Sequence, residues 1–439
     1  MKRMLRWLYP GLGVKRWFLL VLVGVAAATL GVAIAMDLRI IGLVTWLGDL
    51  QARLSGRGFT PWMWGVPLAL LGVAGVILGI RGIVRSITYV VSPSAHGRLA
   101  EALYRGRQLA GGPQLIAIGG GTGLSTLLRG LKEWSTNLAA VVTVSDDGGS
   151  SGRLRREMGV LPPGDIRNCL VALADAEPLM TELFQYRFDG DRQGCGNGLE
   201  GHSFGNLLIA AMTAITGDFE RAVRETSRVL AIRGRVLPST LSDVTLRAEM
   251  ADGSTVAGET QITAHPAAIH RVFLDPPDVE PLDEAVDGIL DAHAIIIGPG
   301  SVYTSVIPNL LVCGVVPAIQ VSRAVVIYVC NVMTQAGETA GYTASQHLQA
   351  IIDHIGCNPF DYCLVNNAAP APEVLAAYAA EAAEVVEADL DAIEALGAKP
   401  IVADLLSRTN LARHDPAKLA AALARIMDTA ARRSRAGVS

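Results

Sequence analysis

The 439-residue chain has few aromatic residues (5%) and little charge (18%). Its six cysteines, Cys169, Cys195, Cys313, Cys330, Cys357 and Cys363, form no CxxC and no metal-finger spacing. That argues against a structural zinc site and reads them as reduced thiols of a cytosolic interior rather than a disulfide framework. Cys195, between Gly194 and Gly196, is expected in an exposed, mobile loop. No internal repeat is visible, and the only low-complexity tract is the alanine-rich 367–388 stretch. Scarce aromatics with abundant Ala, Gly and Val suit parallel sheets flanked by helices. The net charge of −4 hides an asymmetry. Residues 1–108 hold 13 basic and 3 acidic side chains, a balance of +10, so the rest carries −14. An acidic main part lacks the basic footprint of general nucleic-acid binding.

The basic part points instead to a membrane. Residues 17–36 and 61–80 are two uncharged apolar runs, each long enough to cross a hydrocarbon core of ~30 Å. Trp17, Trp62 and Trp64 suit the headgroup belt. A signal peptide fits poorly, because the first run is long and a second follows. Lys2, Arg3, Arg6, Lys15 and Arg16 precede the first run, and Arg81, Arg85, Arg98, Arg105 and Arg107 follow the second. The loop between them sets Arg39, Arg53 and Arg57 against Asp37 and Asp49. The positive-inside rule then puts both termini in the cytoplasm, with the apolar 40–47 stretch on the outer interface. The expected organisation is a transmembrane hairpin over 1–80, a juxtamembrane helix and linker over 81–112, and a cytoplasmic domain over 113–439.

That domain opens with a strand, a glycine turn and a helix: Leu115–Ile118, then Gly119, Gly120, Gly121, Thr122 and Gly123, then Leu124, Leu127, Leu128 and Leu131 at helical spacing. Glycines there let the backbone approach a ligand, and a helix N-terminus favours phosphate. The turn is not a strict dinucleotide fingerprint, since Thr126 stands where the third glycine belongs, nor a P-loop, since no Gly-Lys-Ser/Thr follows. A second strand, Val141–Val144, runs into Ser145, Asp146, Asp147, Gly148, Gly149, Ser150 and Ser151. Acids at this place, about 20 residues past the glycines, contact ribose in doubly wound folds, or Asp146 and Asp147 could hold Mg²⁺ beside a diphosphate. Arg153 and Arg155 could face phosphate. Asp165 reads either as a helix cap or, with Arg167 and Asn168, as part of a site. His202, Ser203 and Asn206 open an apolar helix; His202 is an acid–base candidate or a histidine that only hydrogen-bonds, and Ser203 lacks the nucleophile-elbow pattern. Ala294–Ile297 is a buried strand running into Gly298, Gly300 and Ser301, a second anion-binding turn, with Thr304 and Ser305 beyond. Val325–Val329 and Leu364–Val365 read as further strands. The 236–282 region alternates with period two around Asp252-Gly253, a hairpin signal, and is expected as a small β insertion.

The runs GGGTGLSTLLRGLK, SDDGGSSGRLR, PPGDIRNCL, GHSFGNLLIAA, GPGSVYTSVIPNLL, CNVMTQAGET and RHD resemble, in order, the gluconeogenesis-factor (YvcK-type) family of the 2-phospho-L-lactate transferase-like (CofD-like) superfamily. Ala336 stands where that family usually has proline. The resemblance implies an α/β fold with a mostly parallel, Rossmann-like doubly wound sheet and a small β insertion, here preceded by two transmembrane helices. It implies a nucleotide-sugar ligand, UDP-N-acetylglucosamine, and a role in envelope synthesis and cell shape during gluconeogenic growth. It adds Asn309, Tyr378 and Arg413 to the ligand-binding residues. The alternative is a Mg²⁺-dependent phosphotransferase with Asp146 and Asp147 on the metal. A homo-oligomer is left open, and the family's core being usually soluble, the hairpin reads as an addition.

Overall fold

The computed structural model describes residues 14–36, 61–91, 107–175, 178–188, 198–407 and 412–436, with isolated positions between 42 and 53. The chain divides into two compact units, Met1–Arg107 and Gln108–Ser439. Cys195, most of the 40–47 stretch and the 92–106 part of the linker lie outside the described residues.

In the first unit two helices are long and apolar enough to cross a membrane, over Arg16–Ala35 and Trp62–Ile83. They belong to α1 (Val14–Ala35) and α2 (Pro61–Val91). Helix α2 runs on through Arg81 and Arg85 without a break, so residues 81–91 extend the second apolar helix rather than start a separate one. The two helices pack through small residues. A Cβ on Gly31 would lie 2.3 Å from the Ala69 amide nitrogen, and one on Gly72 would lie 2.3 Å from that of Ala28. Such close backbone approach is how helices associate where no hydrophobic effect drives them together. The outward faces are apolar, with Leu19 and Leu71 mostly exposed.

The second unit is built on one seven-stranded sheet. Its strands are β1 (Leu115–Gly119), β2 (Leu138–Val142), β3 (Arg235–Pro238), β7 (Ala294–Ile297), β8 (Val325–Val329), β9 (Tyr362–Asn366) and β10 (Lys399–Ala403), while β4 (Thr245–Met250), β5 (Thr255–Ala257) and β6 (Ile269–Asp275) form a separate three-stranded sheet. The large sheet has the order β10-β9-β8-β7-β1-β2-β3 and is parallel throughout, with Leu115 level with Leu138 on one side and Ala294 on the other. Strands β1, β2 and β7 are buried along their whole length, which is why they read as unbroken apolar runs. The helices that matter for the site are α3 (Gly121–Leu131), α4 (Gly149–Met158), α5 (Gly164–Leu173), α6 (Phe204–Thr216), α7 (Glu259–Ala264) and α8 (Pro416–Ala436). Leu124, Leu127, Leu128 and Leu131 of α3 are all fully buried, on a helix that packs against α5 and α8.

The doubly wound fold and the insertion therefore match the sequence reading, with two changes of boundary, the first being that the second strand covers Leu138–Val142 rather than 141–144. Residues 235–238 belong to the main sheet, and the insertion is the antiparallel set β5-β4-β6. Gly253, at φ +82°, makes the β4–β5 turn. The chain leaves β1 toward β2 in one direction, while β7 pairs on the other side. The crevice between the β1 and β7 carboxyl ends is thus the topological switch point, where open α/β sheets bind ligands.

Candidate functional site

Both glycine turns end at that crevice. Gly120 is extended and Gly121 takes φ +64° at the start of α3. Across from them the turn after β7 passes through Gly298, at φ +77°. The turns touch: a Cβ on Gly123 would lie 2.3 Å from the Pro299 carbonyl oxygen. Asn331, just past β8, closes the second turn by accepting from the Gly300 amide (3.1 Å) and donating to the Gly300 carbonyl (2.9 Å).

A cavity of about 290 Å³ opens over the two turns. Gly120, Gly121, Thr122 and Gly123 line it from one side, and Gly300, Ser301 and Ser305 from the other. Tyr378 and Arg413, distant in sequence, line it as well, together with Gln335 and His414. One end is apolar, where Val332, Met333 and Ala412 pack with Tyr378 and Leu406. The lining therefore combines backbone amides, hydroxyls and an arginine with an aromatic shelf, the mix that a ligand with a polar half and a flat half requires.

A second cavity, of about 260 Å³, is lined by Asp146, Gly148, Gly149, Ser150, Ser151, Asp165, Arg167, Asn168 and Asn206, with Gly164 and Arg187. One hydrogen bond joins its lining to that of the first. The Gly121 amide donates to Asp165 Oδ2 at 2.7 Å. Asp165 lies in the first turn of α5, whose N-cap is Pro163, so the capping expectation is corrected: its carboxylate serves α3 instead. Gly120 is glycine for the same reason, since a Cβ there would lie 2.6 Å from Asp165 Oδ2.

The β7 side repeats the arrangement. Glu338 accepts from the Tyr303 amide (3.2 Å), the Thr304 hydroxyl (2.9 Å) and the Gln335 side chain (3.1 Å). Each glycine turn thus leads into a helix whose leading amides already meet a carboxylate of the chain itself. Burial pushes Asp165 up to about 6, reinforced by Asp146, and pushes Glu338 up to about 7 against the hydrogen bonds from Thr304 and Tyr303. Asp146 is also raised by burial, opposed by the Gly148 amide and Ser151. Glu259, at the start of α7, rises to about 9 through burial and the charges of Asp146, Asp165 and Glu338.

The remaining expected residues build the frame and line neither cavity. Gly119 closes β1 and its carbonyl accepts from Asn309 Nδ2 (3.0 Å), which also donates to the Ser305 carbonyl. Thr304 is held by Glu338, and Ser145 is buried on Thr143 (2.9 Å). His202 is buried with Nδ1 2.9 Å from Ser150 Oγ, and burial, with Arg153 second, holds it below the ordinary histidine range. Ser203 caps α6 by accepting from the Asn206 amide and also accepts from Arg167 Nη1. Arg153 donates to the Glu200 carbonyl, and Arg155 pairs with Asp243 at 2.6 Å; both arginines serve loops rather than the cavities they were expected to face.

Asp146 and Asp147 do not make a shared metal pair. Asp146 faces the second cavity, whereas Asp147 Oδ1 accepts from the Thr260 amide (3.0 Å) and hydroxyl (2.9 Å) at the start of α7. Among the described residues no group of three or more His, Cys, Asp or Glu is placed to hold a metal ion. The Mg²⁺ pair that these two aspartates would form under the phosphotransferase alternative is therefore not set up by their side chains, which face different partners.

Sequence reasoning missed Glu338, Glu259 and His414. The first two stand in Gly-Glu-Thr triplets, Gly258-Glu259-Thr260 and Gly337-Glu338-Thr339, and that repetition was the available signal. His414 carried no signal beyond lying next to Arg413.

A family model described as 2-phospho-L-lactate transferase CofD matches residues 115–406. A putative gluconeogenesis factor from Nostoc sp. is 49% identical over 426 residues, covering 95% of this chain and 91% of its own. The gluconeogenesis factor of Bacillus subtilis is 49% identical over 312 residues, covering 71% of this chain and 97% of its own. A crystal structure of a Bacillus halodurans protein is 51% identical with a TM-score of 0.68, covering 71% of this chain and 99% of its own. Covering 95% of this chain, the Nostoc match reaches into the N-terminal unit. The chain belongs to the gluconeogenesis-factor family, with a CofD-like α/β domain behind two apolar N-terminal helices.

Proposed function

We propose that the second unit binds a nucleotide sugar of the UDP-N-acetylglucosamine type in the switch-point cavity and acts as a regulator of envelope synthesis and cell shape under gluconeogenic growth. The observation that carries this reading is the cavity's two-ended lining. Thr122, Gly123 and Ser301 offer donors to a diphosphate, Arg413 offers its charge, and Tyr378 with Val332 and Met333 offers a shelf for a base. Arginine and backbone amides are the usual partners of phosphate oxygens. The hairpin anchors this unit to a membrane, and the positive-inside bias puts it on the cytoplasmic face. Native mass spectrometry of the full chain purified from its own cells tests the reading: a co-purifying uridine diphosphate sugar supports it, and an adenine or guanine nucleotide contradicts it.

A second reading is favoured by the bond between Gly121 and Asp165. The second cavity, with Asp146 and Asp165 set among Arg167 and Arg187, adjoins the nucleotide cavity there, as a donor and an acceptor pocket would in a group transfer. In that case Asp165, held near 6, is placed to take a proton from an acceptor hydroxyl. Consumption of a nucleotide diphosphate carrier only when a deazaflavin alcohol is also present would promote the transferase over the binder.

A further inference from the structure

Ser305 lies between the two glycine turns at the switch-point cavity. It lines the cavity and is 6% exposed. A Cβ added to Gly120 would lie 3.3 Å from the Ser305 Cβ, and one added to Gly300 would lie 3.6 Å from it. A Cβ on Gly121 would lie 3.8 Å from Ser305 Oγ. The serine side chain thus stands in the space that these glycines leave open.

Its backbone is fixed from both ends. Residues Val302–Val306 form a π-helical turn, in which the Ser301 carbonyl accepts from the amides of both Ser305 and Val306 at 2.9 Å. Turns of this kind are rare and often stand at functional sites. The Ser305 carbonyl accepts from Asn309 Nδ2 at 2.7 Å, and the same nitrogen donates to the Gly119 carbonyl at 3.0 Å. The serine is thereby tied to the end of β1.

Only its hydroxyl is left uncommitted. Among the described residues Ser305 Oγ has no hydrogen-bond partner, yet it is not one of the polar atoms sealed from solvent without one. It is therefore open to the cavity. A helical serine commonly bonds back to the carbonyl four residues earlier, but here that carbonyl, of Ser301, already takes two amides. The other serine and threonine hydroxyls of the lining differ. Thr126 donates to the Thr122 carbonyl (2.9 Å), Ser301 donates to Gln335 Oε1 (2.7 Å) and Thr334 accepts from the Glu384 amide (2.8 Å), while Thr122 is exposed. A hydroxyl whose backbone is already fixed loses little freedom on meeting a ligand, and its bond to a charged oxygen is of the stronger kind.

We infer that Ser305 is a phosphate-binding residue of this cavity, whose hydroxyl donates a hydrogen bond to a diphosphate oxygen of the bound nucleotide sugar between the two glycine turns. The inference rests on the nucleotide-sugar reading above.

Calorimetric titration of the full chain in detergent with UDP-N-acetylglucosamine, UDP and uridine tests it on the wild type and Ser305→Ala. Affinity for both diphosphates is expected to fall by the same factor, about tenfold or more, and affinity for uridine to stay unchanged. Without ligand the variant should unfold at the wild-type temperature, because its removed hydroxyl holds no bond within the chain. A clear drop in that temperature, or failure to fold, would show a structural role for the hydroxyl and overturn the inference. A loss confined to UDP-N-acetylglucosamine would place the contact on the sugar, and an equal loss for uridine would place it on the nucleoside; either overturns it. Equal affinities in wild type and variant also overturn it while leaving the nucleotide-sugar reading standing. Absence of any UDP-N-acetylglucosamine binding by the wild type overturns both.

Discussion

Asp165 Oδ2 lies 2.7 Å from the amide of Gly121. An anion of the chain's own sequence therefore occupies the position at the start of α3 where the glycine turn by itself would place a phosphate. Glu338 does the same for the amide of Tyr303 beyond β7. A bound diphosphate must meet the amides and hydroxyls that these carboxylates leave on the cavity side, around Thr122, Gly123 and Ser301. Each carboxylate fixes a turn and at the same time repels the ligand's charge.

Those opposing effects separate in two variants. Asp165→Asn keeps an acceptor for the Gly121 amide and removes the charge, so affinity for UDP-N-acetylglucosamine should hold or rise. Asp165→Ala leaves the turn unsupported, and affinity should fall about tenfold, the scale of one lost hydrogen bond to a charged group. Calorimetry on both variants checks this, and a larger loss in Asp165→Asn than in Asp165→Ala would contradict it.

Stability should fall as pH rises through the mildly acidic to neutral range. Asp165 and Glu338 sit at about 6 and about 7 in the folded chain, above their ordinary values of 3.8 and 4.5. The folded state therefore binds more protons than the unfolded state in those windows, and Glu259, raised to about 9, extends the decrease of unfolding free energy beyond them. Thermal unfolding at pH 5 and pH 8 should show the higher midpoint at pH 5. Glu338→Gln should flatten the slope between about pH 4.5 and 7, and an unchanged slope would contradict the assignment.

The fold was legible because buried parallel strands leave continuous apolar runs, as in Ala294–Ile297, and because α3 repeats leucine on one face. The glycine turns were legible for the same reason, since four glycines between a strand and a helix have few other uses. What the sequence hid were partnerships across long separations. Asp165 looks like a cap for α5 until the fold brings it to Gly121. Asp147 looks like the twin of Asp146 until Thr260, from the insertion, takes it. Tyr378 and Arg413 carry no local pattern, and only the family resemblance singled them out before the cavity brought them together. The small-residue seam of the hairpin leaves no pattern of its own, because Gly31 and Gly72 read simply as apolar positions within long apolar runs.

The hairpin gives a topology prediction. A reporter active only outside the cytoplasm should stay silent when fused after Ser439 and report when inserted near Ser55. The reverse pattern would overturn the orientation. Deleting residues 1–108 should leave a soluble, folded, ligand-competent unit, as the Bacillus relatives matched by 71% of this chain suggest. Aggregation of that unit would show that the hairpin contributes to its fold.

The most direct test of the central claim is calorimetric titration of the full chain with UDP-N-acetylglucosamine, repeated on Arg413→Ala and Tyr378→Ala. Both side chains line the switch-point cavity; Tyr378 lies in the short helix Pro372–Ala380, none of whose residues is buried, and Arg413 lies in an irregular segment. Saturable binding by the wild type, weakened at least about tenfold in each folded variant, is the result this account predicts. No binding, or binding that neither substitution alters, would contradict it.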